Sequence, residues 1–315
     1  MKRFIWGFDN PNFDFVGRRW IAFTVDGLLL VIVLISLWYQ GLNLGIDFTG
    51  GVLLEVESAE KVDIAAVRHK VEALGFGKPA VQSIGADDRG ILIRVPPVEG
   101  VANQEQQVAN TIKQALGSGY TFNRVEAVGP KVSGELFQSG VLASVLAVIM
   151  IAVYVAFRFE WQFGISALLS NGHDVLMAVG LYSLLQLDFD LSSIAALLML
   201  AGYSINETVI IFDRIRENRR KFKRMELSEL INLSTNQTLA RTVKTSTTVA
   251  LALIPLALFG GDALFGFSIT VLWGILSGTY SSIFVASSLL LYMPPLTIGQ
   301  SRADAAKSVT QRAQG

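Results

Sequence analysis

Residues 191–212 read LSSIAALLMLAGYSINETVIIF. A run of about 20 predominantly apolar residues is long enough to cross a bilayer as one helix, and this run carries a single formal charge, Glu207. Five more runs of the same kind are present: Trp20–Tyr39, Val141–Phe157, Phe163–Leu185, Thr242–Phe259 and the overlong Phe265–Tyr292, whose ends must tilt or protrude. The pattern predicts an α-helical polytopic membrane protein with six transmembrane helices. Trp20–Tyr39 is too long for a signal-peptide core, and bulky Leu37, Trp38 and Tyr39 stand where a cleavage site needs small residues, so the run is expected to stay attached as the first helix.

Composition agrees. Of the 315 residues 51% are hydrophobic and only 17% charged, and the charges gather in islands between apolar runs. A formal net charge of +0 and the lack of a Gly-rich phosphate loop argue against nucleic acid or nucleotide as a ligand. With no cysteine and two distant histidines, His69 and His173, no metal and no cofactor is expected. Lys2, Arg3, Arg18, Arg19, Arg158, the Arg214–Arg224 run, Arg241, Lys244, Arg302, Lys307 and Arg312 fall on one side of the spans. The opposite short loops carry three Asp and no Lys or Arg, so the positive-inside rule makes both termini cytoplasmic.

The resulting map is a cytoplasmic N-terminus (1–19), a first span (20–40), an extracytoplasmic domain (41–139) and spans two to six (140–298), with a cytoplasmic connector at about 213–241 and a cytoplasmic tail (299–315). Inside the domain, Val52–Val56 alternates like a strand and Ile64, Val67, Val71 and Leu74 have helical spacing. Ala80–Ile84 and Ile91–Val95 flank a turn at Ala86–Gly90, a helix is expected over Val101–Leu116, and a last strand over Tyr120–Val128. The order βαββαβ predicts a small α+β, ferredoxin-like insert. In the connector, Ser228 is placed to cap a helix whose Leu230, Ile231 and Leu233 share one face, which reads as a helix lying on the membrane surface.

Ionisable groups inside a span cost roughly 2.5 to 3.5 kcal/mol on insertion scales, so each is a functional candidate. Span three aligns Ser166, Ser170 and Asp174 at steps of four, beside Asn171 and His173. Span four brings Tyr203, Ser204, Asn206 and Glu207. A carboxyl at 207 that gains and loses a proton as Arg241, at the start of span five, approaches or withdraws is one reading. The other is a structural group tied down by Asn206, Ser204 or His173. Asp213 and Arg214 head a basic run of the kind that anchors a span against anionic lipid. Span six places Gly266, Thr270, Gly274, Gly278, Ser282 and Ala286 on one line, an interface either within the chain or for a partner subunit.

Four segments together resemble the SecD/SecF family: Gly45-Ile46-Asp47-Phe48-Thr49-Gly50-Gly51, Val128–Leu136, Phe157-Arg158-Phe159-Glu160-Trp161, and Gly202–Glu207 running on through Phe212–Asn218. The exterior insert is only one domain's worth, which fits the smaller of the family's two members. The resemblance implies a bundle related to resistance-nodulation-division transporters, pairing with SecD to assist preproteins through the SecYEG channel at the expense of the proton gradient. It implies that Glu207 and Arg241 are the proton-pathway pair; Asn206, Asp174 and His173 are added to that pathway from their places in the spans, with His173 read equally as a hydrogen-bonded packing residue. Many relatives have Asp at the first position, so Glu207 departs from the pattern by one methylene. On that mechanism Gly45, Asp47, Gly50 and Gly51 are expected to form a hinge through which the bundle moves a domain that grips or releases an emerging polypeptide; the alternative is a rigid turn built on the Gly50-Gly51 pair. A proton-driven exporter of small molecules or lipids, and a scaffold of the translocon that transports nothing, are the rival readings.

Overall fold

The structure is a computed structural model that describes residues 12–84, 89–97 and 105–294. Lys2, Arg3, Arg302, Lys307, Arg312, the turn residues Ala86, Asp87 and Asp88, and the expected helix start at Val101 lie outside the described residues. The first helix is α1 (Arg19–Tyr39); there follow β1 (Asn43–Leu44), the single turn α2 (Ile46–Thr49), β2 (Gly51–Ser58), α3 (Ile64–Glu72), β3 (Ala80–Ile84), β4 (Gly90–Val95), α4 (Glu105–Leu116) and β5 (Tyr120–Val128). The rest is α5 (Pro130–Arg158), α6 (Trp161–Leu185), β6 (Asp188–Phe189), α7 (Leu191–Lys221), α8 (Leu227–Phe259) and α9 (Gly261–Tyr280), which runs on through a π-helical segment, Ser281–Ala286.

The chain divides into two units. A sheet unit takes Asn43–Ser144 and also Asp188–Leu191, and a helical unit takes the residues up to Leu42, Val145–Leu187 and those from Ser192 on. In the sheet unit, β3, β4, β2 and β5 lie side by side in that order, all antiparallel. Alternation along the strands sends Val52, Leu54, Val56, Ile91, Ile93 and Val95 to one face, where they meet Val67 and Val71 of α3 and Val108 and Ile112 of α4. Asp63 caps α3 by accepting from the Ala65 and Ala66 amides at 2.9 and 3.2 Å.

Five described helices are long and apolar enough to span a membrane: Arg19–Tyr39, Pro130–Arg158, Leu191–Lys221, Leu227–Phe259 and Leu264–Tyr292. The remaining long helix, α6, has 25 residues but falls short in apolarity. Its polar stripe is the reason: Ser166, Ser170, Asn171 and Asp174 are all buried against other helices rather than lipid.

One expectation is corrected. The connector does not hold a separate surface helix capped by Ser228, because α8 starts after Glu226 and runs unbroken to Phe259. Leu230 and Ile231 are fully buried in a core with Val16, Phe163, Phe212 and Ile215. The segment before α1 secures this first half of α8: Phe13 and Asn236 exchange hydrogen bonds at 2.9 and 2.8 Å, and the Val16 amide donates to Asn232 at 2.9 Å. The small-residue seam of span six makes close contacts inside the chain, the first of its two expected uses. A Cβ on Gly274 would stand 2.2 Å from Leu200, one on Gly278 would stand 3.3 Å from Ser204, and Thr208 and Ser282 share a 2.8 Å hydrogen bond.

The same close approach joins α1 to α6, where a Cβ on Gly180 would lie 2.3 Å from Val33 Cγ1 and the Ser36 and Ser183 hydroxyls are 2.8 Å apart. Val33 is β-branched and cannot swing away cheaply. Gly180→Ala should therefore destabilise the helical unit by about 1 to 3 kcal/mol, and Val33→Ala should relieve most of it, as read by denaturation of the four proteins of the cycle in detergent.

Candidate functional site

Glu207 sits on α7 with no exposed surface, and neither carboxyl oxygen completes a hydrogen bond among the described residues. Thr242 faces it from α8 as the nearest hydroxyl donor and Arg241 acts on it through its charge, although Arg241 itself is exposed and makes no ion pair of salt-bridge length among the described residues. A buried carboxyl without partners is costly in an apolar bundle. A proton or a cation lowers that cost, and Arg241 is the cation adjoining Thr242 in sequence. Asn206 points to the exposed flank of α7, away from this pocket.

Asp174 and His173 form a different cluster. Asp174 is fully buried; its Oδ2 accepts from Ser204 of α7 and from Ser281 at 2.7 Å, and its Oδ1 lies 3.1 Å from His173 Nδ1. On the other side of the ring, His173 Nε2 is 3.1 Å from Asp26 Oδ2 on α1. Asp26 escaped the sequence reading, although a single carboxylate inside the apolar run Trp20–Tyr39 was a signal available to it. Ser281 opens the π-helical segment, an arrangement that frequently occurs at functional positions. A second hydroxyl chain links Tyr203 to Ser246 and Ser246 to Thr279, each at 2.9 Å.

The boundary motifs meet each other. Arg158 pairs with Asp213 at 2.5 Å, and Arg158 and Arg216 both lie over the Phe159 ring. Arg214 donates to Gln237 of α8 at 2.7 Å and pairs with Glu217 at 2.6 Å. These residues therefore fasten the end of α7 to α5 and α8.

The hinge residues build a junction within the sheet unit. Gly50 and Gly51 have φ of 73 and 113°, and a Cβ on Gly51 would collide with the Val95 carbonyl at 2.2 Å, so only glycine fits there. Gly45 donates its amide to Phe189 at 2.8 Å, within the parallel pair β1–β6. Asn43 donates to Asp188 at 2.7 Å, Arg94 pairs with Asp188 at 2.5 Å, and Asp47 accepts from the Leu191 amide at 3.0 Å. Asp47 thus satisfies an otherwise unpaired N–H in the first turn of α7. Burial pushes the Asp47 carboxyl above its usual range, with the Leu191 amide partly opposing.

These features define a membrane-embedded protein with buried titratable groups and one folded domain inserted between its helices. Residues 107–295 match the family "Protein export membrane protein SecD/SecF, C-terminal" and residues 35–62 match the "SecD/SecF GG Motif". The protein translocase subunit SecF of Pseudomonas aeruginosa is 43% identical over 281 residues, covering 89% of this chain and 91% of that one. The subunit of the same name from Escherichia coli O157:H7 is 39% identical over 282 residues, covering 89% of this chain and 87% of that one. The chain belongs to the SecD/SecF family. Among solved structures, SecDF of Thermus thermophilus, a translocon-associated membrane protein, superposes with a TM-score of 0.81 at 36% identity over 91% of this chain. SecDF in a super-membrane-facing form gives 0.66 at 33% identity over 97%. The chain spans 39% and 40% of the length of those two solved chains.

The Asp47 cap is testable. Asp47→Ala should cost about 1 kcal/mol, whereas Asp47→Asn keeps an acceptor for the Leu191 amide. Because the folded-state pKa is raised, ionising Asp47 costs stability as pH climbs from the ordinary carboxyl value through the raised one. Denaturation of the full chain at stepped pH should show that acid-side gain in the parent and lose it in Asp47→Asn.

Proposed function

We propose that this chain acts as the SecF subunit of a SecDF-type complex, assisting protein export across the bacterial cytoplasmic membrane at the expense of the proton motive force. It is a transport subunit rather than an enzyme. Relationship over about nine-tenths of both chains to proteins named as SecF translocase subunits supports the role. The observation that carries the mechanism is Glu207: a fully buried carboxyl without a hydrogen-bond partner, next to a helix that bears Arg241. Protonation of Glu207 neutralises it inside the bundle, and its release calls for a cation, so the two states favour different positions of α8 relative to α7.

In this reading α6 also crosses the membrane, as span three of six, tolerated despite its polar stripe because that stripe faces other helices. Both termini are cytoplasmic, with the map 1–19, 20–40, 41–139, 140–298 and 299–315. The sheet unit is a ferredoxin-like extracytoplasmic domain; its strand order and two helices support this. SecD supplies the rest of the bundle, and the SecYEG channel, the preprotein and membrane lipid are the other partners. Asn206, exposed in the single chain, is available to SecD, and the Gly45–Gly51 segment with Asp47 passes helix movement to the domain.

The test is precursor export in cells whose only copy carries Glu207→Gln, at matched protein level and intact SecD association. Export should fall to the level of cells lacking the subunit, with Glu207→Asp retaining function. Normal export in Glu207→Gln would sink proton coupling at this residue and favour a scaffold.

A further inference from the structure

His173 stands between two carboxylates from different helices. Its Nδ1 is 3.1 Å from Asp174 Oδ1, and its Nε2 is 3.1 Å from Asp26 Oδ2, a contact of ion-pair length without the alignment of a full hydrogen bond. The three side chains are 12, 0 and 13% exposed in the order His173, Asp174 and Asp26, so water replaces little of what they offer one another. A neutral imidazole has one N–H and one lone pair. Between two ionised carboxylates it satisfies one and aims its lone pair at the other. The observed geometry, with an acidic oxygen at each ring nitrogen, is attractive on both sides only when the triad holds one proton more than that.

We propose that Asp26, His173 and Asp174 form a second proton-binding site, separate from Glu207, whose bound proton fastens α1 to α6. The other groups around the ring fix which link responds. Asp174 keeps two hydroxyl donors, Ser204 and Ser281, whatever the state of the ring. Tyr280, another titratable group facing the site among the described residues, donates to the Ala22 carbonyl of α1 at 2.8 Å and interacts electrostatically with Asp26. Release of the proton leaves the N–H on Nδ1, toward Asp174, and turns the Nε2 lone pair toward Asp26. One proton departs, no other bond changes, and the contact that becomes repulsive is the one between α1 and α6. The Val33–Gly180 and Ser36–Ser183 contacts hold these two helices together elsewhere and would serve as the pivot.

The inference extends the proton-coupled reading of the protein but uses none of the Glu207 geometry, so the two fail separately. The sequence has only two histidines. In a His69→Gln background, the full chain labelled with nitrogen-15 histidine in lipid bilayers reports on His173 alone, and solid-state NMR counts its protonated ring nitrogens. At neutral pH the parent should show two, Asp26→Asn one, and Asp26→Glu two again. Glu207→Gln should leave the count unchanged. A single protonated nitrogen in the parent, two in Asp26→Asn, or a change of count in Glu207→Gln would overturn the proposal. If Asp26→Asn fails to fold, the count in the parent decides. Normal export by Glu207→Gln with the expected counts would remove the Glu207 mechanism and leave the second site in place.

Discussion

Asp174 is a fully buried carboxyl group in an apolar bundle, and the way its oxygens are satisfied governs how the surrounding helices meet. A buried carboxylate must collect several donors or it destabilises the fold. Here the donors come from His173 on the same helix, Ser204 on α7 and Ser281 after α9, so three helix backbones have to draw close around one side chain. Small residues make that possible. A Cβ on Gly278 would already touch Ser204 at 3.3 Å and approach Asp174 at 3.6 Å. The small-residue line of the last span therefore serves the polar centre, and the Thr208–Ser282 bond and the Ser166 hydroxyl on the Ala286 carbonyl continue the same adaptation along it.

Glu207 is the counter-example. Packed in the same bundle, it is given no hydrogen-bond partner among the described residues, and that cost is borne by the surrounding fold. Some buried amides of the helical unit are fully provided for: Asn218 reaches Ser234 and Gln237, and Asn236 reaches both Phe13 and Asn232. Hydroxyls such as Ser170, Thr235 and Thr242 are also buried without a partner, but among the described side chains left so Glu207 is the carboxyl group, and a carboxyl is the costliest of these to bury.

Most of the helices could be read from hydropathy because lipid is an undemanding solvent: any long apolar run satisfies it. The strands of the sheet unit were legible for a related reason, since period-two alternation from Val52 to Val56 reports a one-sided core. Reading failed where tertiary partners overrode local pattern. Ser234, Thr235, Asn236 and Thr238 gave the start of α8 the look of a polar connector, yet they are buried against neighbouring helices and the N-terminal segment. Asp26 disappeared into the average of an apolar window. The β1–β6 pair joins two residues on each strand across more than a hundred positions of sequence, and local periodicity carries no trace of such a pairing. At the candidate site, the residue types were identified from sequence, but their division into a Glu207 pocket and an Asp26–His173–Asp174 triad required the fold.

That division has a topological consequence. The helix carrying Asp26 leads through Gly41, whose φ is 65°, into β1, and the helix carrying Glu207 begins at Leu191, immediately after β6. β1 and β6 are hydrogen-bonded to each other, and Asn43, Arg94, Asp188 and Asp47 tie that pair into the sheet unit. Both helices with titratable interiors therefore enter the folded domain through one parallel strand pair. That strand pair is held by ion pairing and hydrogen bonds rather than by a deep apolar core. A two-residue ladder has few bonds of its own, so Asp47, by holding the first amide of α7, adds a specific contact where the pairing is shortest.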